Sequence, residues 1–178
     1  VKIHQRQVID VALNLLDEQG LAELQMRAVA SRLNVQASAL YWHVRNKGEL
    51  LSLMAWHFYD GALASVPEGL SWRDWLLAYG TSFRKALLSH RDSAQLCAIA
   101  RPLDDDTEAA ADRITKPLIA AGLSRHLALS YHSSVLSLAL GWCIYEQSEA
   151  LHDYLARMIG FEESFTTGLQ AMVAGFPA

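Results

Sequence analysis

Helical periodicity runs through nearly the whole chain and leaves room for little else. Val8, Ala12, Leu15 and Leu16 share one face of a 3.6-residue repeat, with Ile9 and Leu13 beside them. Gly20 follows as a stop signal, which predicts a first helix over residues 3–19. Shorter helices fit 27–33 and 37–44. Asn46 with Glu49 reads as a capping box that opens a longer helix over 47–64. Pro67 and Gly69 break the pattern. Ser71 with Asp74 restarts it, and Trp72, Trp75, Leu76, Tyr79, Phe83 and Leu87 recur at steps of three and four. A short helix from about 92 ends at Arg101 and Pro102. Asp104, Asp105 and Asp106 place negative charge where the dipole of the next helix favours it. Pro117 is expected to kink or restart that helix and Gly122 to end it. Ser124 caps a long helix over 124–149, a short connection spans 150–160, and a last helix covers 162–174. No segment alternates with the period of a strand, and none repeats. The expected fold is all-α. An N-terminal three-helix bundle with a helix-turn-helix occupies 1–46, and a larger helical domain occupies 47–178. The helix 47–64 connects the two.

Composition removes several classes. An apolar share of 52% with a formal charge of −4 excludes a disordered chain. Two cysteines, Cys97 and Cys143, exclude a secreted disulfide scaffold. The longest nearly apolar run, 135–145, is about half of the ~20 residues a membrane span needs, so no membrane role is expected. No signal-like segment precedes the first amphipathic pattern, and a cytoplasmic protein with reduced thiols is expected. The seven histidines form no metal-ligand spacing, and His90 is read as a helix-end cap instead. No nucleophile motif or phosphate loop occurs, so no enzyme is read. Charge is uneven: residues 1–47 carry six Lys/Arg against four acids, net +2, and the remainder is net −6. That fits a nucleic-acid partner at the N-terminus, and equally fits chance unevenness of a solvated surface.

The informative stretch is Leu24 to Lys47. Two short helices flank Asn34, Val35 and Gln36. Ala30 is small where crossing helices must approach, Asn34 tolerates the left-handed conformation that ends a helix, and Val35 and Leu40 are spaced to plug a shared core. In a helix-turn-helix the second helix enters the major groove N-terminal end first. Gln36, Ala37, Ser38 and Ala39 would then face the groove, with Tyr41, Trp42 and His43 on the next turn. Alanines there can touch thymine methyls, and Ser38 can hydrogen-bond a base. Arg27 suits a guanine or a phosphate, and Tyr41 and Lys47 suit phosphates. Tyr41, Trp42 and Val44 can also be read as the core of a plain helical hairpin, Trp42 above all.

The strings Leu40-Tyr-Trp-His-Val-Arg-Asn-Lys47, Ser82-Phe-Arg84, Leu87-Leu-Ser-His-Arg-Asp92 and Arg101-Pro102 resemble, in order and separation, the TetR family of transcriptional regulators, and specifically its tetracycline-binding members. The likeness spans about residues 3 to 148. It implies an all-α homodimer whose N-terminal domain binds operator DNA and whose larger domain binds a small molecule that releases the DNA. It implies DNA contacts at Arg27, Tyr41, His43 and Lys47, and base reading at 36–39, where the residues differ and a different operator is expected. Gln25 and Met26 stand where those members carry threonines.

The pocket departs further. The position of the histidine that meets the drug's magnesium falls at Cys97, and that of the partner subunit's acidic residue at Tyr145, with Glu146 one residue away. The drug-holding histidine and asparagine fall at Leu63 and Tyr79. A threonine becomes Ala100 and a glutamine Arg113. Magnesium wants hard oxygen ligands, so no metal and no cofactor are expected. The expected effector is aromatic or apolar, lined by Leu63, Trp75, Tyr79, Phe83, Cys97, Ala100, Arg101, Pro102, Arg113 and Trp142, with Arg101 or Arg113 facing a carboxylate or phenolate. Most of these residues can equally be ordinary core. Small residues in the last two long helices (Ser133, Ser137, Gly141, Gly168, Ala171, Ala174) fit a four-helix interface with a second copy. The expectation is a ligand-released repressor on palindromic double-stranded operator DNA. The alternatives are a corepressor-dependent regulator or activator of the same fold, and a helical small-molecule binding protein that does not bind DNA.

Overall fold

The computed structural model describes residues 4–101 and 107–177. The described residues form α1 (Gln5–Gln19), α2 (Met26–Arg32), α3 (Ala37–Leu40), α4 (Lys47–Ala64), α5 (Trp72–Leu88), α6 (Ser93–Ile99), α7 (Thr107–Ala120), α8 (Arg125–Gln147), α9 (Glu149–Ala156) and α10 (Phe161–Ala174), with no strand among them. Pro102 and Asp104 to Asp106, given roles above, lie outside the described residues.

Caps act where the sequence put them. Asn46 accepts a hydrogen bond from the Glu49 amide at 2.9 Å, Ser71 from Asp74 at 3.1 Å, and Ser124 from Leu127 at 3.3 Å. The return half of the first box is displaced by one residue: the Glu49 carboxylate accepts from the Arg45 amide, not from that of Asn46. Three expectations change. α3 is shorter than 37–44, because residues 41–43 tighten into a turn closed by His43 and Val44 amides on the Leu40 carbonyl. α7 runs through Pro117, which sits near its C-terminal end and deletes only one ladder bond there. The connection after α8 contains a helix of its own, α9, which has no buried residue.

α1, α2, α3 and the turn after α3 bury Val8, Ala12, Leu16, Val29, Ala30, Leu40 and Val44. Asn34 adopts φ 56°, the left-handed turn expected of it. α4 leaves this bundle, packing on α1 near its start and on α5 and α6 further along. α5 lies at the centre of the larger domain, against α4, α8 and α10. Its Gly80 allows that closeness, since a Cβ there would fall 2.8 Å from Val135 and 3.0 Å from Leu169. α8 is long and apolar enough to cross a membrane by length and composition, unlike the shorter run read from the sequence. It packs instead on α5, α6, α7 and α10. Only a third of its apolar window is buried, and Ser133, Ser137, Ile144 and Tyr145 remain outside.

Candidate DNA interface and effector cavity

At the N-terminal bundle, Arg27, Gln36, Ser38, Tyr41 and Trp42 are exposed, and Ala37, Ala39, His43 and Lys47 are half-buried. Arg27, Gln36 and Ala37 line one shallow cleft with Ser31, Asn34 and Val35. Trp42 is 89% exposed, which overturns its reading as core. The reason is local. The hairpin interior is filled by Leu40 and Val44, four residues apart, and Trp42 between them points to the opposite side of the turn. A large indole left in solvent beside a half-exposed Tyr41 is a surface shaped for contact.

A second feature lies in the larger domain. A cavity of about 240 Å³ is lined by Ser52, Ala55, Trp56, Tyr59, Asp60 and Leu63 of α4, Tyr79 of α5, Ala100 and Arg101 after α6, Arg113 and Ile114 of α7, and His132 and Leu136 of α8. Of the residues singled out in the sequence, Leu63, Tyr79, Ala100, Arg101 and Arg113 meet here. Trp75 and Phe83 stand behind the lining, stacked on Tyr79 at 5.3 and 5.9 Å between ring centroids. Cys97 is also behind it, its carbonyl accepting from the Tyr59 hydroxyl at 3.3 Å. Trp142 is elsewhere, edge-on to Phe161. These four are placed in or beyond the wall because the helical period turns them toward neighbouring helices. Ser52, Ala55, Trp56, Tyr59, Asp60, Ile114, His132 and Leu136 were missed. The three- and four-residue spacing of Ser52, Ala55, Trp56, Tyr59 and Leu63 was the available signal.

The cavity's electrostatics are simple. Burial pushes the His132 imidazole down to about 4, so it is neutral near pH 7. Burial likewise raises the Tyr59 and Tyr79 phenols above their ordinary value. At the mouth, Arg113 lies over the Trp56 ring at 4.2 Å and pairs with Asp60 at 3.5 Å.

Two family models match the chain. "Bacterial regulatory proteins, tetR family" covers residues 8–54, and "Tetracyclin repressor-like, C-terminal domain" covers 66–158. The chain belongs to the TetR family. It is 32% identical over 175 residues to an HTH-type transcriptional regulator of Saccharopolyspora erythraea, covering 98% of this chain and 72% of that one. It is 38% identical over 153 residues to the Escherichia coli tetracycline repressor protein class A from transposon 1721, covering 83% and 68%. Among solved structures, a variant TetR from Acinetobacter baumannii AYE in complex with minocycline superposes with a TM-score of 0.81 at 34% identity, covering 98% and 97%. The first model thus spans the helix-turn-helix, and the second spans every described cavity residue of α5 to α8. TetR-family regulators bind operator DNA and small-molecule effectors and act as dimers.

The residues here do not fit a magnesium-bridged drug. Burial pushes the Cys97 thiol up to about 12, with the Tyr59 hydroxyl opposing weakly, so it stays protonated and is a poor magnesium donor. Among the described residues no group of three or more His, Cys, Asp or Glu side chains is placed to hold a metal ion.

Within this TetR-family fold, the bundle is tied to the larger domain by side chains missed in the sequence. The Asp17 carboxylate of α1 bonds His90 Nδ1 at 2.8 Å and accepts from the Arg91 amide at 2.9 Å. Asp92 accepts from the Leu21 amide at 2.8 Å. His90 therefore bridges the two units and is not a helix-end cap. The α5–α6 turn is held in turn by Gln147 of α8, whose amide donates to the Leu87 and His90 carbonyls at 3.0 and 2.8 Å.

Proposed function

We propose that this protein is a ligand-responsive repressor that binds palindromic operator DNA as a homodimer and is released by a small, metal-independent, aromatic or apolar effector. The DNA-binding unit is residues 1–46 and the effector and dimerisation unit is 47–178. What supports the reading is a single helix. α4 begins at the Asn46 cap beside the recognition turn and carries Trp56, Tyr59 and Leu63 into the cavity. A molecule in the cavity therefore pushes on the element that sets the pose of the bundle.

The bases are read by residues 36–39 with Trp42, and Arg27, Tyr41, His43 and Lys47 hold the backbone. The second copy docks on α8 and α10, where Gly141 and Gly168 have open space around them and Ser133, Ser137, Ala171 and Ala174 are solvent-facing or nearly so. Two recognition turns about 34–36 Å apart then span one turn of DNA. An effector that binds better to a differently angled dimer lowers DNA affinity by that difference. With DNA as its partner, the protein acts in the cytoplasm.

The test is selection of random-core duplexes by the purified protein at moderate salt. Enrichment of one palindrome is the expected result. Recovery of no consensus from a folded dimer overturns the DNA-binding reading.

A further inference from the structure

The cavity is polar at only a few points, and one of them has no hydrogen-bond partner among the described residues. His132 is 5% exposed, and its contacts are ring contacts: Tyr79 at 4.6 Å and Trp75 at 6.3 Å between centroids. Among the described residues, no fully occluded side-chain nitrogen or oxygen lacks a hydrogen-bond partner. His132 makes no hydrogen bond to any described residue, so neither ring nitrogen is fully occluded, and His132 lines the cavity. An imidazole wedged between aromatic faces, in the wall of an apolar hole, is an unsatisfied hydrogen-bonding group waiting for a ligand.

The charges are the exposed part of the lining. Arg113 is 45% exposed at the mouth, and Arg101 is exposed. Against them stands Asp60, which holds Arg113 through one long contact of 3.5 Å. Among the described residues of the lining, the two arginines and Asp60 leave one net positive charge. Between rim and floor the walls are Trp56, Tyr59, Tyr79 and Leu136. The space is about 240 Å³, against about 150 Å³ for a cavity that holds one benzene. That suits one or two fused rings.

Resting on the effector reading above, we propose that this cavity selects a hydroxylated aromatic monoacid of one or two rings: its carboxylate meets Arg113 at the rim, displacing Asp60, and its hydroxyl meets His132 at the floor. His132 is buried and Arg113 half exposed, so the ligand's acid and hydroxyl lie at opposite ends of its ring system. His132 is the specificity-determining residue. A ligand lacking the hydroxyl leaves the imidazole unpaired, and one lacking the acid leaves the rim charge unmet.

The experiment titrates the purified protein with three fluorescent probes: 6-hydroxy-2-naphthoate, 2-naphthoate and 2-naphthol. The hydroxy acid is expected to bind about tenfold more tightly than either single-group analogue, the scale of one net hydrogen bond in a desolvated site. His132→Phe is expected to abolish the hydroxyl preference while leaving 2-naphthoate binding within about twofold, and His132→Gln to restore part of it. Arg113→Gln is expected to weaken both acids and spare 2-naphthol. Equal binding of 2-naphthoate and its hydroxy derivative to the unmutated protein overturns the proposal without any variant. So does a preference that survives in His132→Phe, or the absence of binding by all three probes at millimolar concentration. Operator selection needs no ligand, so a recovered palindrome with no naphthoate binding refutes this inference alone.

Discussion

Arg84 offers the sharpest test of how the larger domain is held. Arg84, on α5, is 7% exposed. It grips Glu146 of α8 through two parallel bonds, Nε to Oε1 at 3.0 Å and Nη2 to Oε2 at 2.8 Å. It also pairs with Glu162 of α10 and lies 5.0 Å from the Phe165 ring. Burial works against the guanidinium's charge, and the two carboxylates outweigh it. Arg84→Met keeps the length and removes the charge. The consequences for the two partners differ. Glu162 is 76% exposed and returns to water at little cost. Glu146 is 9% exposed and is left as a buried anion, which costs about 3–5 kcal/mol. The reverse change, Glu146→Leu, is milder at about 1–3 kcal/mol, because Arg84 keeps Glu162. The double variant replaces the pair by apolar volume and is expected within about 1 kcal/mol of the original. Urea unfolding followed by tryptophan fluorescence, at one fixed protein concentration because dimer stability depends on it, measures all four states. A cost below about 1 kcal/mol for Arg84→Met, or a double variant that equals the sum of the singles, would refute the reasoning.

Lys47→Ala and Tyr41→Ala are expected to weaken operator binding, and Lys47→Ala to reduce the salt slope by about one unit; an unchanged slope in filter-binding titrations removes Lys47 from the phosphate contacts. Gly80→Val pushes a methyl-bearing carbon into Val135 and Leu169, and calorimetry should show a loss of about 1–3 kcal/mol. His132 links stability to pH. Its folded value of about 4 lies below the ordinary value, so the unfolded chain takes up a proton below about pH 6.5 while the folded chain stays neutral until about 4. Stability is therefore full above that window and falls as pH drops through it. The protein should lose about 2 kcal/mol more than His132→Phe does between pH 7.5 and 5, and equal losses in the two would show that His132 is not held neutral by folding.

What the sequence determined by itself is local in origin. The helices and their caps followed from apolar spacing and from Asn46, Ser71 and Ser124, each acting within one turn. The left-handed Asn34 and the burial of Ala30 and Leu40 followed from the grammar of a short hairpin. Family membership followed from separated strings that keep their order. Trp42 resisted, because an indole is equally at home in a core and at an interface, and only the placement of Leu40 and Val44 chose between them. The resemblance supplied Leu63, Tyr79, Ala100, Arg101 and Arg113, and the tertiary structure decided the rest of the cavity. Its lining comes from α4, α5, α7, α8 and the two residues after α6, within residues 52 to 136, and which side of each helix faces the hole depends on how the helices cross. The same crossing turned Trp75, Phe83, Cys97 and Trp142 out of the lining and His132 into it. Periodicity tells which face of a helix is apolar. Whether that face meets another side chain or an empty space is fixed by contacts between residues far apart in the chain.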